Sequence, residues 1–198
     1  MTMQDKGMKN EFGHDANTAV KVLRSGGVIL YPTDTVWGLG CDATDAQAVR
    51  RIYEIKKRAE NKSLIILVNS VPMLERWVNN PPEVALQMAE LSEKPLTIVY
   101  DRGRGLAEGV ASGDGSVAVR VCADPFCDAL ITGLRKPLVS TSANISGNIT
   151  PAVFDEISEE VKEAVDYVCL WRQDDRSRSK PSSVIKVSGN GIVKILRG

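Results

Sequence analysis

Val28-Ile29-Leu30-Tyr31-Pro32-Thr33-Asp34-Thr35-Val36-Trp37-Gly38-Leu39-Gly40 is the stretch on which the reading of the fold turns. Val28 to Tyr31 is short, apolar and β-branched, and it follows Gly26-Gly27, the pattern of a buried strand. Pro32 has no N–H to offer a ladder, so pairing is expected to stop there. Thr33, Asp34 and Thr35 then sit at the strand's carboxyl end, where open α/β sheets form their ligand crevices. Gly38 and Gly40 are read as places where the backbone turns or comes close to a ligand. A solvated turn and a ligand crevice are the two readings this stretch allows alone.

Outward from it, strands and helices mix. Upstream, residues 1–14 read as a polar N-terminal tail, and Ala16, Ala19, Val20 and Leu23 recur at helical spacing over residues 15–25. Downstream, Thr44 and Gln47 form a capping-box pattern ahead of a helix with Val49, Ile52, Tyr53 and Lys56 on or near one face. That helix ends in Lys56-Lys57-Arg58, cations suited to the negative end of the dipole. Apolar or alternating runs at 64–68, 96–100, 116–122, 138–140 and 166–171 read as strands. Helices are expected after Ser70, after Pro81-Pro82-Glu83, after Asp124-Pro125 with Gly133 as C-cap, and over 155–165. Residues 182–187 and 192–196 flank Gly189-Asn190-Gly191 as a hairpin. The expectation is an α/β domain over 15–198, a twisted mixed β-sheet with flanking helices.

Composition narrows the function. The chain has 198 residues, with 25 Lys+Arg and 25 Asp+Glu, so its net charge is zero. That disfavours bulk electrostatic attraction to nucleic acid or anionic membrane. No apolar run approaches the ~18 residues that span a bilayer, and the N-terminus lacks a signal-peptide core. A cytoplasmic protein with no membrane contact is expected. The four cysteines form no Cys-x-x-Cys pair and read as buried free thiols. His14 is the only histidine, which removes a Ser-His triad or a His-rich metal site. Gly38-x-Gly40-x-x-Ala43 resembles a dinucleotide fingerprint as a string, but six residues separate it from the strand, whereas the fingerprint needs glycine in the first turn. Ser177-x-x-Lys180 lacks the companion motifs that would give that string meaning.

Polar clusters remain: Thr33-Asp34-Thr35, Lys56-Lys57-Arg58 with Lys62, Ser140-Thr141-Ser142-Ala143-Asn144, and Lys180-Pro181-Ser182-Ser183. Hydroxyls and amides suit a polar small molecule, and clustered Lys and Arg suit phosphates. Arg120, within Val117-Ala118-Val119-Arg120-Val121, must reach water or pair with an anion.

Taken in order, Tyr31 to Leu39, Lys56-x-Arg58 with Lys62, Ser116 to Arg120, Ser142-Ala143-Asn144 and Pro181-Ser182-Ser183-Val184 resemble the motifs of YrdC-type threonylcarbamoyl-AMP synthases. The resemblance runs from about Gly26 to Arg197 and is to the single-domain form. It implies a YrdC-like fold with a basic concave cavity. It also implies a reaction: L-threonine, bicarbonate (or CO2) and ATP give threonylcarbamoyl-AMP and pyrophosphate, which is nucleotidyl transfer. By the same resemblance Lys56 and Arg58 are catalytic. Arg58, Lys62, Ser116, Ser142, Asn144, Thr150 and Arg197 hold ATP, and Thr35, Arg120 and Ser182 hold threonine. Mg²⁺ enters with ATP, with no metal ligand among the protein's side chains. A separate transferase complex would pass the product to tRNA, and a weak tRNA contact is compatible with this role. Four positions depart from the pattern: Ala59 and Ser63 stand where Pro is frequent, Trp37 where Tyr is usual, and Leu67 where longer relatives carry a threonine-contacting His. Two other functions compete: a paralogue of the same fold acting on another carbamoylated substrate, and a non-catalytic RNA-binding module. The latter fits poorly with zero net charge and few aromatics for base stacking.

Overall fold

The computed structural model describes residues 3–59 and 64–198, the side chains of residues 3–10 apart. The quoted stretch is a hairpin. Its first arm, β1 (Ile29–Tyr31), is fully buried. The second arm, β2 (Gly38–Gly40), runs antiparallel to it with Leu30 opposite Leu39 and Tyr31 opposite Gly38. Of the two expectations for the glycines, the turn is not met, since both are strand residues, whereas Gly38 does line the cavity described below. At Gly40 the requirement is steric: a Cβ there would lie 2.6 Å from Tyr31 Cε1 and 2.8 Å from the Val139 carbonyl oxygen. The Tyr31 ring, wholly buried, lies across this bare backbone and donates from its hydroxyl to Val139 O at 3.3 Å.

Helix α1 (Met3–Arg24) precedes the hairpin, and α2 (Ala46–Ile55), β3 (Ile65–Val68), α3 (Val71–Trp77), α4 (Glu83–Leu91), β4 (Leu96–Tyr100), β5 (Val117–Val121), α5 (Pro125–Leu134) and β6 (Leu138–Ser142) follow it. A 3₁₀ turn (Phe154–Glu156), α6 (Glu159–Glu163), β7 (Tyr167–Val168), β8 (Ser183–Val187) and β9 (Val193–Arg197) complete the order. One nine-stranded sheet has the order β7-β1-β2-β6-β3-β5-β4-β8-β9. The pairs β1–β7, β3–β5 and β4–β8 are parallel and the others antiparallel, the mixed sheet expected. Helices α1, α3, α4 and α5 pack on it, and α2 buries Ala48, Val49, Ile52 and Tyr53.

Several local expectations give way to tertiary contacts. Residues 3–14 are not a tail but the first turns of α1, continuous with the expected 15–25 helix. Phe12 docks edge-on against Phe126 at 5.4 Å and Trp171 at 5.1 Å, and such aromatic contacts supply what a polar sequence lacks. The cap of α2 is Asp45, whose carboxylate accepts from the Gln47 and Ala48 amides at 2.9 and 3.1 Å. Thr44 turns instead to Asp42. Gly133 lies inside α5 because Val20 of α1 would sit 2.6 Å from its Cβ, and Arg135 takes the left-handed position with φ 61°. The expected helix 155–165 divides into the 3₁₀ turn and α6. The strand expected at 166–171 shortens to Tyr167–Val168, because the Leu170 and Trp171 amides donate to Asp15 rather than to a ladder. Ser70 and Asp124 cap α3 and α5 as read from sequence. All four cysteines are buried and free, and burial pushes the Cys41 and Cys169 thiols up.

Candidate functional site

Hairpin, sheet and the last strand converge on one cavity of about 240 Å³. The hairpin loop supplies Thr35, Val36 and Trp37, the segment after α2 supplies Arg58, and β5 supplies Arg120. The carboxyl end of β6 contributes Ser140, Thr141 and Ser142. Thr150, Pro181, Ser182 and Arg197 close the other side. This volume lies below the ~300–1,000 Å³ of pockets that engulf larger ligands. The enclosed part therefore suits an amino acid or a phosphate group, with the rest of a nucleotide outside it.

Arg120 is almost wholly buried in β5, and its anion is Asp34 of the hairpin loop. The Nη1–Oδ1 distance is 2.6 Å. The buried guanidinium thus pins the loop to the sheet centre. The same loop is held from behind by Arg172, which pairs with buried Asp124 at 2.7 Å and donates to Thr33 O at 3.4 Å. Trp37 packs on Phe154 with ring centroids 4.8 Å apart, and Lys162 Nζ lies 4.7 Å above that ring.

The loop's hydroxyls have a fixed sense. Thr33 Oγ1 donates to Val36 O at 2.8 Å and accepts from the Thr35 amide at 3.0 Å. Having one proton, already committed, Thr33 must accept in its 2.9 Å contact with Thr35 Oγ1. Thr35 therefore turns its lone pairs, not its proton, to the cavity.

Of the sequence-predicted site residues, Thr35, Arg58, Arg120, Ser142, Thr150, Ser182 and Arg197 come together on the cavity wall. Lys56 does not. It is 2 % exposed, and its Nζ donates to the carbonyls of Ser142 and Asn144. Burial lowers its pKa to about 8, the neighbouring Arg58 adding to the shift. Lys57 explains the divergence: its φ of 47° reverses the chain after α2, so Lys56 goes inward and Arg58 to the cavity. Asn144 also serves the turn after β6, donating to Ile145 O and Asn148 O. Ser116 is buried and donates to Asp114 at 2.6 Å. Lys62 lies outside the described residues, as does Ser63. Asp34 escaped the sequence reading as a partner for Arg120, although both residues had been singled out. Thr97, hydrogen-bonded to Ser182, gave no signal inside an ordinary strand pattern.

Among the described residues no group of three or more His, Cys, Asp or Glu could hold a metal ion. A cavity of about 790 Å³ lies apart, between α1 and the turn after β7. Its central acid, Asp15, is already occupied by the Tyr167 hydroxyl and two backbone amides, and it gathers none of the polar clusters. No described helix is long and apolar enough to cross a membrane.

Comparison with known proteins agrees with this architecture. Residues 21–198 match the family Sua5_yciO_yrdC, described as Telomere recombination. A protein of Psychromonas ingrahamii named threonylcarbamoyl-AMP synthase is 36 % identical over 135 residues, covering 67 % of this chain and 71 % of that protein. A putative threonylcarbamoyl-AMP synthase of Methanocaldococcus jannaschii is 32 % identical over 183 residues, 90 % of this chain and 83 % of the other. The crystal structure of P. abyssi Sua5 complexed with L-threonine superposes with a TM-score of 0.77 at 30 % identity, covering 86 % of this chain. This chain spans 50 % of that longer one. With its sheet order, its convergent cavity and a match over residues 21–198, the chain belongs to the Sua5/YciO/YrdC family.

Proposed function

We propose that the protein is an L-threonylcarbamoyladenylate synthase, a nucleotidyltransferase that makes threonylcarbamoyl-AMP and pyrophosphate from L-threonine, bicarbonate or CO2, and ATP. The observation that carries this is the meeting of Arg58, Arg120 and Arg197 with Thr35 and Ser182 in one cavity. The wall offers cations for anions and hydroxyls for an amino acid, and no histidine or activated nucleophile.

The reaction asks for little more. The threonine amine takes up CO2 as a carbamate. A carbamate oxygen attacks the α-phosphorus, the bond from that phosphorus to the α,β-bridging oxygen breaks, and pyrophosphate leaves with the electron pair. Such displacements are accelerated by alignment and charge neutralisation. Arg58 would bind phosphate oxygens through its planar fork, and Lys62 would add charge there. Arg197 and Thr150, with Ser142, would line the nucleotide side. Arg120, held by Asp34, would face the threonine carboxylate with Ser182, while Thr35 accepts an N–H or O–H from the substrate. Lys56 and Asn144 would act from behind by shaping the Ser142–Asn148 turn, and Ser116 by bracing the start of β5. Mg²⁺ would arrive as the ATP complex, bound by phosphate oxygens and water. The product would be consumed by a tRNA threonylcarbamoyl transferase complex in the cytoplasm, with at most weak direct RNA contact.

The test is incubation with ATP, Mg²⁺, bicarbonate and one amino acid at a time, reading pyrophosphate and acyl-adenylate. Release with threonine and not with serine or alanine is expected. Equal release with all three, or none with threonine, would refute the assignment.

A further inference from the structure

Thr97 of β4 is entirely buried, and its hydroxyl lies 2.8 Å from Ser182 Oγ. Ser182 is its sole hydrogen-bonding partner among the described residues. Two orientations of the shared proton exist, and they are not equivalent. If Ser182 donated, the Thr97 proton would be buried with no acceptor, a desolvated donor left unmet. If Thr97 donates, its own buried proton is met, and the Ser182 proton is left for the cavity. Ser182 lines the cavity, so that proton points to whatever binds there. The backbone of Ser182 is fixed as well, because Arg197 donates to its carbonyl from Nε at 3.1 Å and Nη2 at 2.8 Å. With both ends tied, the hydroxyl cannot reorient cheaply. The opposite wall has the reverse sense, since Thr35 can only accept toward the cavity.

We propose that Thr97 is a positioning residue that fixes Ser182 as a hydrogen-bond donor to the carboxylate of the bound amino acid. It touches no substrate itself. By committing its proton to Ser182 Oγ, it polarises that hydroxyl and leaves its hydrogen aimed at an anionic oxygen. The cavity then discriminates by polarity as well as by shape: a carboxylate meets a donor on the Ser182 wall, where a carboxamide presenting N–H would meet a second donor. This inference rests on the function proposed above.

The experiment compares Thr97→Val, which keeps the shape and removes the hydroxyl, with Thr97→Ser, which keeps the hydroxyl and removes a methyl. Threonine-dependent pyrophosphate release is measured with threonine and with ATP as the varied substrate, and L-threoninamide serves as a neutral competitor. For Thr97→Val, the threonine KM should rise about tenfold, the scale of a weakened hydrogen bond to a charged group. The ATP KM should stay within about twofold. The preference for threonine over threoninamide should shrink by a similar factor, and Thr97→Ser should recover most of the loss. A threonine KM that is unchanged or lower in Thr97→Val would overturn the proposal, as the reverse proton orientation predicts. So would damage greater in Thr97→Ser than in Thr97→Val, the mark of a packing role. Absence of threonine-dependent turnover in the unaltered protein would instead strike at the function itself.

Discussion

Arg58 and Lys56 are two residues apart, and the fold gives them different work. Arg58 reaches the cavity, where, on the proposed function, a guanidinium would neutralise charge that builds on the phosphates. Arg58→Ala should lower kcat/KM for ATP by about 10²–10³, the loss seen when a transition-state donor is removed. Steady-state pyrophosphate release reads this, and an unchanged value would remove Arg58 from the phosphate site. Lys56 instead ties two backbone carbonyls together. Lys56→Met should destabilise the fold by about 2–4 kcal/mol, because two buried acceptors lose their donor. The pH dependence has a definite sign. Folding lowers the amine's pKa from 10.5 to about 8, so between those values the unfolded chain binds more protons. From this group alone stability then rises with pH. The destabilisation by Lys56→Met should therefore be larger at pH 9.5 than at pH 7. Denaturant titrations of both proteins at the two pH values check it, and a penalty that shrinks with pH would contradict it.

Among the elements, the opening hairpin is the one most constrained by contact. Strand β2 carries glycine at position 40 because Tyr31 and Val139 O leave no room there for a Cβ. A carbonyl oxygen within a paired strand cannot move aside as a flexible side chain can. Gly40→Ala should cost about 1–3 kcal/mol, the range for overpacking. Gly113→Ala, where nothing lies within 4 Å of the added methyl, should stay within about 0.5 kcal/mol of the parent. Urea unfolding midpoints measure the difference, and similar values for the two variants would count against a steric role for Gly40. The neighbouring loop is an ordered polar wall because Arg120–Asp34 and Arg172–Asp124 clamp it on both sides.

For the whole molecule, the sheet and its helices hold the site without any metal ligand cluster among the described residues. Removing Mg²⁺ with EDTA should therefore abolish pyrophosphate release and leave the thermal midpoint within about 1 °C. A clear fall in midpoint on chelation would show that the protein itself binds a structural ion. The same scale explains the N-terminal correction. Residues 3–14 carry few apolar side chains, so local sequence argued for a tail, whereas Phe12 finds Phe126 and Trp171 only once α5 and the 171 turn are in place.

What the sequence determined by itself was the inventory. Its apolar runs specify most strands and helices, its caps at Ser70 and Asp124 hold, and its ordered motifs identify the family and most of the cavity wall. Those signals are local, carried by periodicity, by side chains that bond their own backbone, or by residue types at set spacing. The tertiary structure alone decided which way each polar group faces. It turned Lys56 inward through the left-handed Lys57, gave Arg120 its anion from 86 positions away in Asp34, and moved the cap of α2 from Thr44 to Asp45. It also joined Thr97 to Ser182 across 85 positions. A buried hydroxyl or charge takes its meaning from the partner that satisfies it, and these partners meet only when the sheet closes.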